Sequence, residues 1–198
     1  MKRFLIIGHK ALTTGSFSLN DMPGSAGRMD VLCRCVNSCF FLSHDLRRDV
    51  ECFLVLLGEP DAPKIVKFSG EKVRYLNPDE RSAGSLLQKA LALPCTETFR
   101  ESTRGVYVRR GGLKELLDEF KDENGASLFA ILDENGTDIR EIPPEQTPTA
   151  FILSDHMNFT EEEEELIKDL RRISAGPKVM HADHTIIVIL NELDRKNL

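Results

Sequence analysis

No stretch of the 198-residue chain reaches the ~18–20 consecutive apolar residues that a membrane helix requires. The longest apolar runs, such as Cys52 to Leu57 and Ile186 to Leu190, are only of strand length. The opening "MKRFLIIGHK" has a basic end, but its apolar run is too short for a signal peptide and Lys10 stands where a cleavage region would begin. A soluble cytoplasmic chain is expected. A disulfide framework is also missing, because the five cysteines (Cys33, Cys35, Cys39, Cys52, Cys95) are odd in number and crowded early, which reads as reduced thiols. No GxGxxG follows a strand-like run and no GxxxxGK[ST] occurs, so the common phosphate cradles are absent. There is no internal repeat, and the one biased segment, Glu161 to Glu165, reads as a solvated first helical turn favoured by the helix dipole.

Metal ligation finds little support. Cys33, Cys35 and Cys39, with Cys52 downstream, lack the spacing of paired zinc thiolates, and a helix would turn Cys33 away from the other two. His181 and His184 lie three apart in "MHADH" with no third ligand nearby, so the simpler reading is a pocket-lining loop. No metal is expected.

What is present is enough for one compact core, with 41% hydrophobic and 29% charged residues. The net charge of −6 is divided unevenly: residues 1–110 carry 17 basic and 12 acidic side chains, net +5, and the remainder is net −11. The front half suits phosphates and the back half does not.

Apolar runs punctuated by turns predict strands at Phe4 to Gly8, Cys52 to Leu57, "KIVKFSG", "GVYVRRGG", Leu128 to Leu132 and Thr149 to Leu153. Helices are expected from Met29 to Phe40, from Ser82 to Leu93, over "LKELLDEFKDENG" with Gly125 as its cap, and from the capping box Thr160/Glu163 to about Gly176. Residues 11–27 read as a long Gly/Ser/Pro loop. Thr185 to Ile189 reads as strand by β-branching, whereas "LNELDRK" reads as helix. Strands alternating with helices imply an α/β fold, a mostly parallel sheet with helices on both faces. Ligands in such sheets collect at the carboxyl ends of strands, an address shared by Leu132/Asp133, "LSDHMNF" and "MHADH". Arg28, Asp30 and Arg34 are either solvent-facing charges on a helix or, given the long loop before them, groups pointing into a covered space. Arg104, Arg109 and Arg110 add basic charge suited to phosphate.

"FLIIGHKALTTGSFSLNDMPGSAGRMDVLCRCV", "NPDERSAGSLLQKAL", "FILSDHMNFTEEEE" and "GPKVMHADHTIIVILNELDR" together resemble the archaeal tRNA pseudouridine-54 N1-methyltransferase (TrmY) family of the SPOUT superfamily, over essentially the whole chain. The resemblance implies a single domain spanning 1–198. Its cofactor-binding part, about 126–198, would be tied in a deep trefoil knot with a helical last segment. It further implies S-adenosyl-L-methionine as methyl donor, tRNA as substrate and a homodimer. The donor pocket would comprise Leu132, Leu153, Ser154, Gly176, Met180 and the loop from His181 through His184 to Thr185. Only "KVM" before that loop would be strand. This sequence has Leu153-Ser154-Asp155-His156 where the family reads Leu-Gly-Asp-His, and it lacks a cysteine that many members carry near His184. Asp30 would be the base for the N1 proton or would orient the ring, with Arg28 or Arg34 stabilising charge on the ring oxygens and Arg34, Arg104, Arg109 and Arg110 as the RNA-binding residues. The same fold would also serve a methyltransferase of ribosomal RNA or a non-catalytic RNA-binding protein.

Overall fold

A computed structural model describes residues Met1–Leu198. The continuous apolar runs form the centre of an eight-stranded sheet, as expected for strands covered on both faces. In chain order these are β1 (Lys2–Gly8), β2 (Val50–Leu56), β3 (Lys64–Ser69), β4 (Arg100–Thr103), β5 (Val106–Arg110), β6 (Phe129–Asp138), β7 (Ala150–Ser154) and β8 (Arg172–Ser174). The spatial order is β4-β5-β3-β2-β1-β7-β6-β8. Neighbours from β2 to β8 are parallel, whereas β3, β5 and β4 add an antiparallel meander at the other side.

Helices cover both faces. Alternate residues of the strands, Phe4, Ile6, Cys52 and Leu54 among them, pack under α2 (Met29–Phe40), α3 (Glu80–Leu91) and α6 (Ala182–Arg195), with the single turn α1 (Met22–Ser25) at the edge of that layer. The other set, Leu5, Ile7, Phe53 and Val55, packs with α4 (Leu113–Glu119) and α5 (Glu161–Ile167). Four of the five cysteines lie inside this packing and all five are free thiols. Burial pushes the thiols of Cys33, Cys35 and Cys39 above their ordinary range, the behaviour of inert core residues. No helix is long and apolar enough to cross a membrane.

The structure corrects several sequence expectations. The helix over residues 113–125 stops at Glu119, because Phe120 turns inward to sit edge-on to Phe53 and Phe129. Gly125 then occupies a turn closed by the Lys121–Ser127 bridge, with φ of +82°, and is not a helix cap. The helix begun at Thr160 ends at Ile167, and the chain enters β8 where more helix was expected. "KVM" is not strand; that role falls to Arg172–Ser174. Thr185 to Ile189 is helical within α6, as the family resemblance implied.

β6 is interrupted. Leu132 pairs with Ile173, residues 133–136 leave the ladder, and Thr137 returns to pair with the same Ile173. Asp133 therefore stands at an excursion within a strand, and not beyond a strand end.

Candidate functional site

The parallel strands all run toward one edge of the sheet, and there the excursion within β6 and the segments after β7 and β8 enclose a cleft of 690 Å³ with the start of α6 and the first turns of α2. The structure brings Leu132, Leu153, Ser154, Gly176, Met180, His181 and Thr185 to this one cleft, together with Arg28 and Arg34 on the facing wall. Leu132, Leu153, Val179 and Met180 supply apolar surface, while Asp133, Glu134 and Asp183 supply carboxylates. A cleft of this size, carrying a few convergent polar groups, suits one nucleoside-sized ligand.

The wall made by α2 begins with a strained turn. Gly27 and Arg28 are both left-handed, at φ +62° and +66°, and Arg28 is the N-cap of α2 without providing a side-chain cap. A left-handed arginine costs of order 1–3 kcal/mol, a cost expected where a side chain must be aimed. Its guanidinium donates from Nε to Oδ1 of Asp30 at 3.0 Å and from Nη2 to Oδ2 at 3.1 Å. Arg34, one turn on, donates from Nη1 to Oδ2 of Asp30 at 3.0 Å and to Glu80 at 3.1 Å, and its Nε lies 3.8 Å from Asp183. Burial would push the Asp30 carboxyl up, but the hydrogen bonds from Arg28 and Arg34 override it and hold the carboxyl below its usual range. Asp30 is thus a buried counter-ion behind two guanidiniums, reaching the cleft only through them. That makes it a poor proton acceptor and a good orienting group. Asp183, on the first turn of α6, lines the cleft with the His184 ring at 3.7 Å and the Arg34 guanidinium at 3.8 Å.

The loop after β7 is fixed by its own hydrogen bonds. Ser154 donates its hydroxyl to the Met157 carbonyl, so the serine is spent inside the loop, and Asp155 accepts from the Met157 N–H at 2.9 Å. Thr160 accepts from the Glu163 N–H at 3.2 Å while Glu163 accepts from the Thr160 N–H at 2.8 Å, the reciprocal capping box anticipated from the sequence. Thr160→Ala is expected to lower stability by about 1 kcal/mol, read from a chemical-denaturation midpoint. On the other flank Arg172 holds both Asp133 and Glu164, pinning the β6 excursion to α5.

Sequence reasoning missed His9. Its Nδ1 is 3.0 Å from Asp155 and its Nε2 2.9 Å from Glu163, and all three side chains are nearly inaccessible. The only signal was a histidine directly after the glycine that ends β1.

The remaining candidates, His184, Arg104, Arg109 and Arg110, lie outside the cleft lining. His181 is the N-cap of α6, and the His181 and His184 rings meet edge to face at 5.9 Å with His184 largely exposed. No group of three or more His, Cys, Asp or Glu side chains is arranged to hold a metal ion. Arg104, Arg109 and Arg110 do not form one basic patch. Arg109 is paired with Glu119 at 2.6 Å and stacked on Phe99, and Arg110 is paired with Asp61 at 2.6 Å, both at the cleft-side end of β5. Arg104 sits in the β4–β5 turn at the opposite edge of the sheet, because a hairpin places consecutive basic residues at its two ends.

A family model described as "Putative SAM-dependent RNA methyltransferase" matches residues 1–198. The tRNA (pseudouridine(54)-N(1))-methyltransferase of Methanococcoides burtonii is 60% identical over 197 residues, covering 98% of this chain and 96% of that protein. The Methanocorpusculum labreanum protein of the same name is 59% identical, covering 99% and 98%. The crystal structure of Archaeoglobus fulgidus Nep1 bound to S-adenosylhomocysteine superposes with a TM-score of 0.63 over 100% of this chain and 99% of that one, at 14% identity, a likeness of fold.

Proposed function

This chain belongs to the family of S-adenosylmethionine-dependent RNA methyltransferases that matches its whole length, and from that premise we propose that it methylates N1 of pseudouridine 54 in tRNA. The observation that carries this reading is the meeting, in one cleft, of apolar strand-end loops with two guanidiniums held by a buried carboxylate.

The residues present fit the donor. Leu132, Leu153, Val179 and Met180 form a lining suited to a purine, and Asp133 and Glu134 offer acceptors for hydroxyl or ammonium groups. The donor supplies a methyl already bound to a cationic sulfur leaving group. The protein's share is to align the ring nitrogen, exclude water and carry charge. Pseudouridine exposes an N1–H, and loss of that proton spreads negative charge onto the ring oxygens. Arg28 and Arg34 are placed to stabilise that charge, and Asp30 fixes the Arg28 fork. A guanidinium cannot accept the proton, and of the carboxylates that line the cleft we assign that step to Asp183, which lies beside Arg34 at 3.8 Å.

The same reading places the enzyme in the cytoplasm as a homodimer, with a single domain over 1–198 whose part at 126–198 is knotted. Support for the knot lies in the strand order β1-β7-β6-β8 and in α6 packing back against α2. For the RNA, Lys10 at the cleft end of β1 is exposed and forms no ion pair, whereas Arg109 and Arg110 would have to exchange carboxylate partners for phosphate. Arg104, on the far edge, is left outside the proposed T-loop contact. Lys10→Ala is expected to weaken tRNA binding uniformly and to reduce the slope of log K against log salt by about one, measured by titration at several salt concentrations.

The direct test is incubation with methyl donor and tRNA transcripts carrying either pseudouridine or uridine at position 54, followed by mass spectrometry of the nucleosides. A methylated nucleoside from the first transcript alone is expected. Methylation of a ribosomal RNA fragment in preference to tRNA would move the substrate, and absence of any heat of binding with S-adenosylmethionine would leave a non-catalytic protein.

A further inference from the structure

The cleft wall between β7 and α5 is tied to the centre of the sheet by one side chain that does not itself line the cleft. His9 follows the last residue of β1. Its backbone N–H donates to Oδ2 of Asp155 at 3.0 Å, its Nδ1 meets Oδ1 of the same carboxylate at 3.0 Å, and its Nε2 meets Oε2 of Glu163 at 2.9 Å. Asp155 also receives the Met157 N–H, and Glu163 receives the Thr160 N–H, so the two carboxylates brace both ends of the 154–160 loop. Ser154 to Phe159 line the cleft. We propose that His9 is a positioning residue of the donor site, holding the 154–160 loop and the first turn of α5 in the shape that receives the cofactor. This rests on the methyltransferase reading above.

Both ring nitrogens face carboxylates, so the bracket is fully hydrogen-bonded only when both carry protons. Burial works against the charge, but the bonds to Asp155 and Glu163 outweigh it and raise the His9 pKa above its ordinary 6.5. A raised histidine pKa means that the contribution is complete below about pH 6.5 and is lost as pH rises through the folded value. Other charges face this cluster. His156 Nδ1 lies 3.4 Å from Asp155 Oδ2, and the charge of Asp155 is felt by Arg28 across the cleft. A pH profile of the wild type alone therefore mixes His9 with His156, and the comparison of variants isolates His9.

The experiment measures the Kd for S-adenosylhomocysteine by calorimetry from about pH 6 to about pH 9, with thermal unfolding in parallel. His9→Gln keeps the backbone bond to Asp155 and loses the cationic bracket. It is expected to raise Kd about tenfold or more at the acid end, since both charge-assisted hydrogen bonds of the ring are lost, and to flatten the pH dependence. Glu163→Gln preserves the capping box, which accepts Gln as readily as Glu, but removes one negative neighbour of His9. Its pH midpoint should move down, a response that a purely structural role would not produce. A folded His9→Gln protein with wild-type Kd and wild-type pH slope overturns the proposal. Should His9→Gln not fold, an unmoved midpoint in Glu163→Gln overturns it equally. If the wild type binds no S-adenosylhomocysteine at any pH, the methyltransferase reading itself falls.

Discussion

Arg28→Ala should lower the methylation rate at saturating substrates by about 10²–10³-fold while leaving S-adenosylhomocysteine affinity within a factor of about three, because it removes a preorganised donor aimed at charge that exists only in the transition state. The position argues for this strength. Arg28 is held in a left-handed conformation, and the Nε/Nη2 edge of its guanidinium is fixed by one buried carboxylate while Nη1 makes no hydrogen bond, so little reorganisation accompanies the reaction. Arg28→Lys should recover only a small part of the loss, since a lysine keeps the charge and forfeits the fork. Asp30→Asn should fall between them, because Arg34 still reaches the amide oxygen but Arg28 loses its ionic anchor. If Asp30 were the base, the order would reverse, with Asp30→Asn the most damaged of the three in single-turnover rate. Asp183→Asn distinguishes the proton acceptor in the same assay, with a loss of about 10²-fold or more expected and partial recovery at higher pH.

These assignments show where the sequence was readable. Arg28, Asp30 and Arg34 stand out because a Gly/Pro loop delivers them to a helix start, yet their division of labour depends on the Arg28 turn, which three letters of sequence do not reveal. The strands β1, β2 and β7 are legible because each is a continuous apolar run long enough to be buried on both faces. β8 is not. It has three residues, its apolar residue Ile173 lies between Arg172 and Ser174, and it exists only because β6 offers a partner. The preceding acidic helix swallowed it in any periodicity reading. His9 is hidden for a different reason. Its partners lie 146 and 154 residues away, and no local pattern marks a residue whose role is to join two distant loops. Arg104 and Arg110 teach the converse, since closeness in sequence across a β-hairpin is separation by a strand length in space.

The same interrupted β6 that periodicity could not show predicts a severe effect from the smallest possible change. At Gly136 an added Cβ would stand 2.5 Å from the carbonyl carbon of Arg172 and 2.5 Å from the nitrogen of Ile173, both backbone atoms of β8. Neither can swing aside as a side-chain tip would. To admit a methyl group, β8 must move away from β6 or the 133–136 excursion must unfold from it, and either motion releases Arg172 from Asp133. Gly136→Ala is therefore expected to destabilise the fold by about 1–3 kcal/mol, the range for overpacking a close contact. It should also weaken S-adenosylhomocysteine binding by more than tenfold, because Leu132, Asp133, Glu134 and Ser174 all lie on the cleft side of the disturbed pair. Gly125→Ala is the matched control, as Gly125 carries φ +82° with nothing within 4 Å of the added carbon. It should cost only the backbone penalty of about 1 kcal/mol and leave affinity untouched. Equal affinity losses for the two alanines would mean that global stability, and not the seat of the excursion against β8, governs the donor site.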